Sequence, residues 1–451
     1  MQRDDFATAR FPSLEAYASD SPGTLDVLIA TEEILGPVRN GGIASTYYHL
    51  ARGLAAQGHR VTVLYLKGRQ VENETPEHWI AHFAGFGITL VYLELPDLAL
   101  FGAAIEWQAR HYAFYLWLKA NDRFAVVHTS EWRGGAFCCL AAKRLGLAFR
   151  DTLFIVKTSS PYIWNRHYQM RPIERRDLLV AAFAEQKCVE WADMVVGGSA
   201  HLLSFMAHIG YRLPEARCFV QPNIVDFSEI KVVDPRPPRE VGELVASREL
   251  VFFGRLEPRK GLELFCAAVD ALVARGAAPA KITFLGKEGE RIASRGDIKP
   301  IDFIEAHAAQ WPIEIDLVTD LNQPEALSLI CARDAIAVMP SLIENSTMAV
   351  YEALVHRIPF VATAVGGTPE LIDPADHAAC LVAPDAIALA DALERVLADG
   401  QPIARAAFDN AANLRTWYGF HRYLAAHGPA AILGETPPLV AEESVTRIVR
   451  P

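Results

Sequence analysis

The chain of 451 residues has no uninterrupted apolar run of the ~18 residues that crossing a bilayer requires, and residues 1–20 lack the apolar core of a signal peptide. A soluble chain in the cytoplasm is therefore expected, with peripheral association at the inner face of the membrane left open. Its seven cysteines are scattered and odd in number, with no C-x-x-C pair, which argues against a disulfide framework or a zinc site. Basic residues are in deficit: 43 Lys and Arg against 54 Asp and Glu leave a net charge of −11, so nucleic acid is not an expected partner. Any anionic ligand must be met by local cations. No short-period repeat is visible, and no G-x-G-x-x-G follows the first strand, which disfavours a nicotinamide dehydrogenase. With 51% hydrophobic and 22% charged residues the chain has the balance of a folded protein, and its length suggests more than one domain.

What is present is an alternation of short β-branched and apolar runs with longer stretches of helical period, the mark of parallel βαβ units. The first series comprises Leu25 to Ala30, Val61 to Tyr65, Val91 to Leu95, Ala125 to His128, Leu153 to Val156, Met194 to Val196 and Cys218 to Val220. The second comprises Leu250 to Phe253, Ile282 to Leu285, Ile315 to Val318, Ala335 to Met339, Phe360 to Ala362 and Ala379 to Val382. Between them the proline-rich Asp234-Pro235-Arg236-Pro237-Pro238-Arg239 can neither continue a helix nor sit in a central strand. The expected architecture is α/β, with two doubly wound Rossmann-like domains facing a cleft. The domains are expected at 1–225 and 250–405, joined by a linker at 226–249. An aromatic closing helix is expected at 406–427 and an irregular tail at 428–451.

Candidate chemistry clusters where strands of such domains end. Glu344-Asn345-Ser346-Thr347-Met348 leads into a helix that carries Glu352, eight positions on. If that interval is mostly helical the rise is up to about 12 Å, the reach of a nucleoside diphosphate sugar. One carboxylate could then hold sugar hydroxyls and the other ribose hydroxyls, while the first-turn amides of Ser346, Thr347 and Met348 face the diphosphate. Arg255 and Lys260, in Gly254-Arg255-Leu256-Glu257-Pro258-Arg259-Lys260-Gly261, offer a planar fork and a point charge for a leaving diphosphate. Gly41-Gly42 opens a helix and lets backbone approach a phosphate. The plainer readings of these features are solvated charge and tight turns.

His128 is read at the end of the fourth strand, beside Glu131 and Trp132, which could supply a hydrogen-bond acceptor and a stacking face. Tyr162, Trp164 and Arg166 interleave rings and charge in a way that suits a sugar or phosphate-bearing acceptor. Gly366-Gly367 is read as a further place of close ligand approach.

Taken in order, Gly41-Gly42, the run Gly58 to Val63, His128, Pro222-Asn223, Gly254-Arg255 with Lys260-Gly261, Glu344 with Glu352, and Gly366-Gly367 with Glu370 resemble the retaining glycosyltransferases of the GT-B fold, in particular glycosyltransferase family 4. The resemblance spans most of the chain, roughly from Leu25 to Leu424. It implies that Arg255 and Lys260 bind the donor diphosphate, Glu352 the ribose and Glu344 the transferred sugar, with His128 beside the reacting carbon. It implies an acceptor-binding first domain, a nucleotide-sugar-binding second domain, and a closing helix that crosses back to the first. No divalent metal or other cofactor is expected, and the chain shows no D-x-D acid pair. Thr347 and Ile224 stand where relatives commonly carry glycine. The implied partners are a UDP- or GDP-type sugar donor and a carbohydrate or lipid-linked acceptor hydroxyl, in polysaccharide or glycoconjugate biosynthesis. A nucleotide-sugar epimerase and a non-catalytic sugar-binding descendant of the fold are the competing readings.

Overall fold

Successive residues of a strand point to opposite faces of its sheet, so a strand covered by helices on both faces reads as an unbroken apolar run. The chain uses this twice. In the computed structural model, which describes residues 6–39, 41–95, 106–169, 171–233, 236–237 and 239–434, two parallel sheets form from the two series of runs. Asn40, the linker residues Asp234, Pro235 and Pro238, and residues 435–451 of the expected tail lie outside the described residues.

The first sheet contains β1 (Asp26–Thr31), β2 (Arg60–Tyr65), β3 (Thr89–Tyr92), β4 (Val126–Ser130), β5 (Leu153–Thr158), β6 (Met194–Gly197) and β7 (Cys218–Val220), in the order β3-β2-β1-β4-β5-β6-β7. On β1, Val27 and Ile29 enter one core with Val61 and Val63, while Leu28 and Ala30 enter the other with Leu64 and Val127. A short antiparallel pair is formed by β8 (Leu244–Val245) and the later β15 (Gln401–Pro402). The second sheet contains β9 (Glu249–Phe253), β10 (Lys281–Leu285), β11 (Glu314–Val318), β12 (Ile336–Met339), β13 (Phe360–Thr363) and β14 (Leu381–Val382), in the order β11-β10-β9-β12-β13-β14. Here Leu250 and Phe252 face one core and Val251 and Phe253 the other. The largest departures are at two strands: β3 runs from Thr89 to Tyr92 where Val91 to Leu95 was expected, and Ala379 and Cys380 close the short helix His377–Cys380 before β14.

The chain divides into two compact units: Met1–Ile163 with Ile173–Val225 and Ala411–Pro451, and Trp164–Pro172 with Asp226–Asn410. Two differences from the sequence reading stand out. Residues 164–172 belong with the second unit, and the expected linker contributes β8 to that unit.

The C-terminal helix, Asn410–His427, packs onto the first unit. Trp417, Phe420 and Leu424 recur on one face and are fully buried in the core that contains Val27 and Ile29. Trp417 donates its indole N–H to the carbonyl of Pro222 at 3.0 Å, and Asn413 spans Gln221 and the carbonyl of Asn223 at 2.7 and 3.0 Å. Trp417→Ala should cost the first unit about 3–5 kcal/mol, through the lost ring and the cavity it leaves. Trp417→Phe should cost about 1–3 kcal/mol, mainly by leaving the half-buried Pro222 carbonyl without its donor. Urea unfolding followed by circular dichroism checks the order, and equal losses in the two variants would contradict it.

Candidate functional site

Each sheet reverses its winding once, between β1 and β4 in the first unit and between β9 and β12 in the second. Loops leaving the carboxyl ends of the two strands at such a point diverge and leave a crevice. In the second unit those loops are residues 254–261 and 340–347, which hold Arg255, Lys260 and Glu344. Gly261 has φ +77°, and a Cβ there would lie 1.7 Å from the carbonyl oxygen of Pro340, so glycine alone lets the two loops touch. Leu342 donates its N–H to the carbonyl of Arg259 at 2.8 Å and fixes the join.

Glu344 is the centre of this cluster and is 5% exposed. Its Oε1 meets Lys260 Nζ at 2.5 Å and accepts from Ser341 Oγ at 2.6 Å, while its Oε2 lies 3.6 Å from Arg259 Nη1. Burial alone would favour the neutral acid, but Lys260 and then Arg259 outweigh it and hold the carboxyl below the usual carboxylate range. Arg255 is more than half exposed, with Nε 3.6 Å from Glu257 Oε2. Sequence reasoning missed Arg259, Ser341 and Gln323. Arg259 was visible as a third cation in the run, whereas nothing local marks Gln323 as the partner of Glu352.

The helix that carries Glu352, Met348–Val355, starts later than the spacing suggests, with Thr347 as an N-cap that makes no side-chain cap hydrogen bond. Asn345, Ser346 and Thr347 thus form the approach to the helix, and Met348 is its first residue. Only the second half of the Glu344–Glu352 interval is helical, so the rise computed for a continuous helix does not apply. Gly366 and Gly367 serve the protein itself. Gly367 N–H donates to the carbonyl of Glu344 at 2.9 Å, and a Cβ on Gly366, at φ +56°, would lie 1.9 Å from that oxygen.

In the first unit a shallow open depression lies at the reversal, lined by Thr31, Glu32, Glu33, Ser130 and Trp132 among others. Gly41 caps the helix Gly42–Ala56, and a Cβ on Gly41 would come within 3.0 Å of Glu33 Oε2. Ile43 of that helix lines the same depression. Trp132 is joined by Tyr162, their ring centroids 6.2 Å apart.

Of four further expected contacts, His128, Glu131 and Trp164 are enclosed and Arg166 is half-buried. His128 lies in the middle of β4, since the strand runs on to Ser130, and its enclosed ring sits with Nε2 2.8 Å from Nε2 of His421. Glu131 is fully buried and accepts from the Ser159 N–H and the Ser130 hydroxyl, so its carboxylate holds loops together. Trp164 is 1% exposed and belongs with the second unit. Arg166 donates to the carbonyl of Pro172 at 3.3 Å.

Residues 40–229 match the family model described as Glycosyltransferase Family 4, and residues 247–399 match that of Glycosyl transferases group 1. The chain is a family 4 glycosyltransferase. It transfers a sugar from a nucleotide-sugar donor, and this sets aside the epimerase and non-catalytic readings. The glycosyltransferase is 25% identical over 416 residues to the D-inositol 3-phosphate glycosyltransferase of Corynebacterium diphtheriae, covering 87% of this chain and 91% of that one. Its fold is that of sucrose-phosphate synthase from Thermosynechococcus elongatus, with a TM-score of 0.58, 19% identity, and 94% and 99% of the two chains covered. Anabaena HepE in complex with UDP-glucose is also similar, with a TM-score of 0.57, 12% identity, and 91% and 97% covered. The GT-B architecture, with its two parallel sheets and returning C-terminal helix, is thereby established. No described helix of the glycosyltransferase is long and apolar enough to cross a membrane.

Glu352 has a different environment from Glu344. It is 7% exposed, accepts from the Gln323 side-chain amide, and burial pushes its pKa up to about 7 against the opposing pull of that amide and of Lys260. Folded glycosyltransferase therefore keeps a proton on Glu352 that the unfolded chain releases above about pH 4.3. The stability this provides is present at low pH and is lost as pH rises through 7. Glu352→Gln, which never ionises, should gain stability relative to wild type between about pH 5 and pH 8, by on the order of 3 kcal/mol. Thermal unfolding across that range is the check, and a stability gap that stays constant with pH would refute the shift.

Proposed function

We propose that this glycosyltransferase moves its sugar from a UDP- or GDP-type donor to a hydroxyl of a carbohydrate or lipid-linked acceptor, with retention of anomeric configuration. The product is then a glycoside of the kind that builds polysaccharides and glycoconjugates. The observation that carries this reading is the pair of buried glutamates after β12, one held by Lys260 and the other on the following helix. In the proposal Glu352 accepts hydrogen bonds from the ribose hydroxyls, Glu344 holds hydroxyls of the transferred sugar, and Arg255 and Lys260 take the charge of the departing diphosphate. Asn345, Ser346, Thr347 and Met348 line its path, and the dipole of the helix Met348–Val355 adds positive potential there.

Both oxygens of Glu344 already face cations or a hydroxyl, which favours a charge-holding role over attack on the anomeric carbon. A route through one face of the sugar then follows. The donor C–O bond breaks, a leaving phosphate oxygen takes the acceptor proton, and the new C–O bond forms on the side the diphosphate left. HepE, bound to UDP-glucose in its solved complex, supports the donor class, and the inositol-phosphate relative supports a polyol-type acceptor. For the acceptor we assign the depression of the first unit, with Trp132 and Tyr162 as stacking faces and Ser130 as a hydroxyl partner. Gly41 and Gly42 present the start of their helix beside it.

A thermal-shift screen of nucleotide sugars should identify the donor, because a ligand that binds only the folded state raises the melting temperature. With that donor, Arg255→Ala and Lys260→Ala should each lower kcat by roughly 10²- to 10³-fold. Glu352→Ala should chiefly raise the donor KM. Wild-type rates in both cation variants, or a product of inverted configuration by NMR, would overturn the proposal.

A further inference from the structure

A single lysine cannot neutralise two anions at once. Lys260 contacts Glu344, yet the proposed function, on which this inference rests, requires it at the diphosphate. Once Lys260 turns away, a carboxylate that is 5% exposed needs another cation or takes up a proton. Arg259 is placed to supply that charge. Its Nη1 is 3.6 Å from Glu344 Oε2, and its Nη2 donates to Oε1 of the buried Glu257 at 3.1 Å.

Three contacts restrain Arg259 itself. Its guanidinium lies over the ring of Trp164, 5.6 Å from the centroid, its N–H donates to Gln169 Oε1 at 3.3 Å, and its carbonyl accepts from Leu342. Trp164 and Gln169 belong to the stretch Trp164–Pro172, which is pinned to the rest of the second unit by Arg171. That side chain donates to Asp297 Oδ1 at 2.8 Å and to the carbonyl of Arg291 at 3.0 Å. A short segment, entered from and returned to the first unit's sequence, thus ends on the guanidinium that faces Glu344.

We propose that Arg259, held by Trp164 and Gln169, is a positioning residue that serves as the standing counter-charge of Glu344 and so frees Lys260 to meet the donor diphosphate. Among the described residues, the ion pairs of Glu344 are with Lys260 and Arg259. Those of Arg259 are with Glu344 and Glu257, the latter also facing Arg255. Lys260 also acts on Glu352. Losing Arg259 raises the pKa of Glu344 in the donor complex, so the ionised form fails at a higher pH as the solution is acidified.

The test is the pH profile of donor kcat/KM in the full chain. In Arg259→Gln the acid limb should move up by about one pH unit relative to wild type. Trp164→Leu should move it in the same direction by less, and Trp164→Phe, which keeps an aromatic face, should fall between Trp164→Leu and wild type. Melting temperatures at pH 8 show which variants are folded. A limb that stays in place in folded Arg259→Gln, or a loss of rate equal at every pH, overturns the inference. If wild type transfers sugar from no nucleotide donor, it is the proposed function that fails, and the two failures are thereby distinct.

Discussion

A carboxylate kept ionised away from water is the constraint around which the second unit's loops are arranged. Burying an unpaired carboxylate costs several kcal/mol, so Glu344 can sit where it does only if cations and donors reach it from several directions. They come from three loops. The loop after β9 brings Lys260 and Arg259, the loop after β12 brings Ser341, and the loop after β13 supports the Glu344 backbone through Gly367. Such convergence requires close backbone approach, which is why glycine stands at 261 and 366. At either position a Cβ would fall less than 2 Å from a carbonyl oxygen.

Glu344 and Glu352 are both buried, yet their surroundings drive them in opposite directions. Cations beside Glu344 overcome the desolvation that burial imposes, whereas Glu352 has a neutral amide as its hydrogen-bond partner and only the more distant influence of Lys260. Near neutral pH the first is a fixed negative charge and the second lies close to its midpoint. A fixed charge suits the end of a donor where positive character develops at carbon in the transition state. A group that can accept or donate suits neutral hydroxyls, which do both.

The strand series was legible because parallel strands covered on both faces carry near-continuous apolar runs, and the placing of Arg255, Lys260 and Glu344 at strand ends, with Glu352 on the helix that follows, was legible because those connections are short and local. The residues whose surroundings a local reading does not reveal depend on partners farther along the chain. His128 reads as a strand end because the apolar run stops there, but β4 continues through Thr129 and Ser130. Its ring meets a histidine 293 positions away. Glu131 looks available until the backbone of Ser159 claims it, and Trp164 looks like an exposed ring until its segment packs into the other unit. Nothing in a window of ten residues carries those facts.

The C-terminal helix shows how affinity and register can be assigned to different atoms of one element. The apolar surfaces of Trp417, Phe420 and Leu424 provide most of the burial, but such surfaces tolerate small slides. Asn413, Trp417 and His421 recur every four residues and form a polar row that does not slide, meeting Gln221 and Asn223, the carbonyl of Pro222, and His128 in turn. Its tautomers follow from the acceptors. His421 Nδ1 lies 2.8 Å from the Trp417 carbonyl, which can only accept, so that nitrogen carries the proton and His421 Nε2 is left to accept from His128 Nε2–H. Burial pushes both rings well below the ordinary histidine pKa, His421 to about 3, so this neutral arrangement holds across the physiological range. A shift of the helix by one residue would leave these buried donors and acceptors unpaired while changing the apolar contacts far less, and the returning helix therefore has one seat on the first unit.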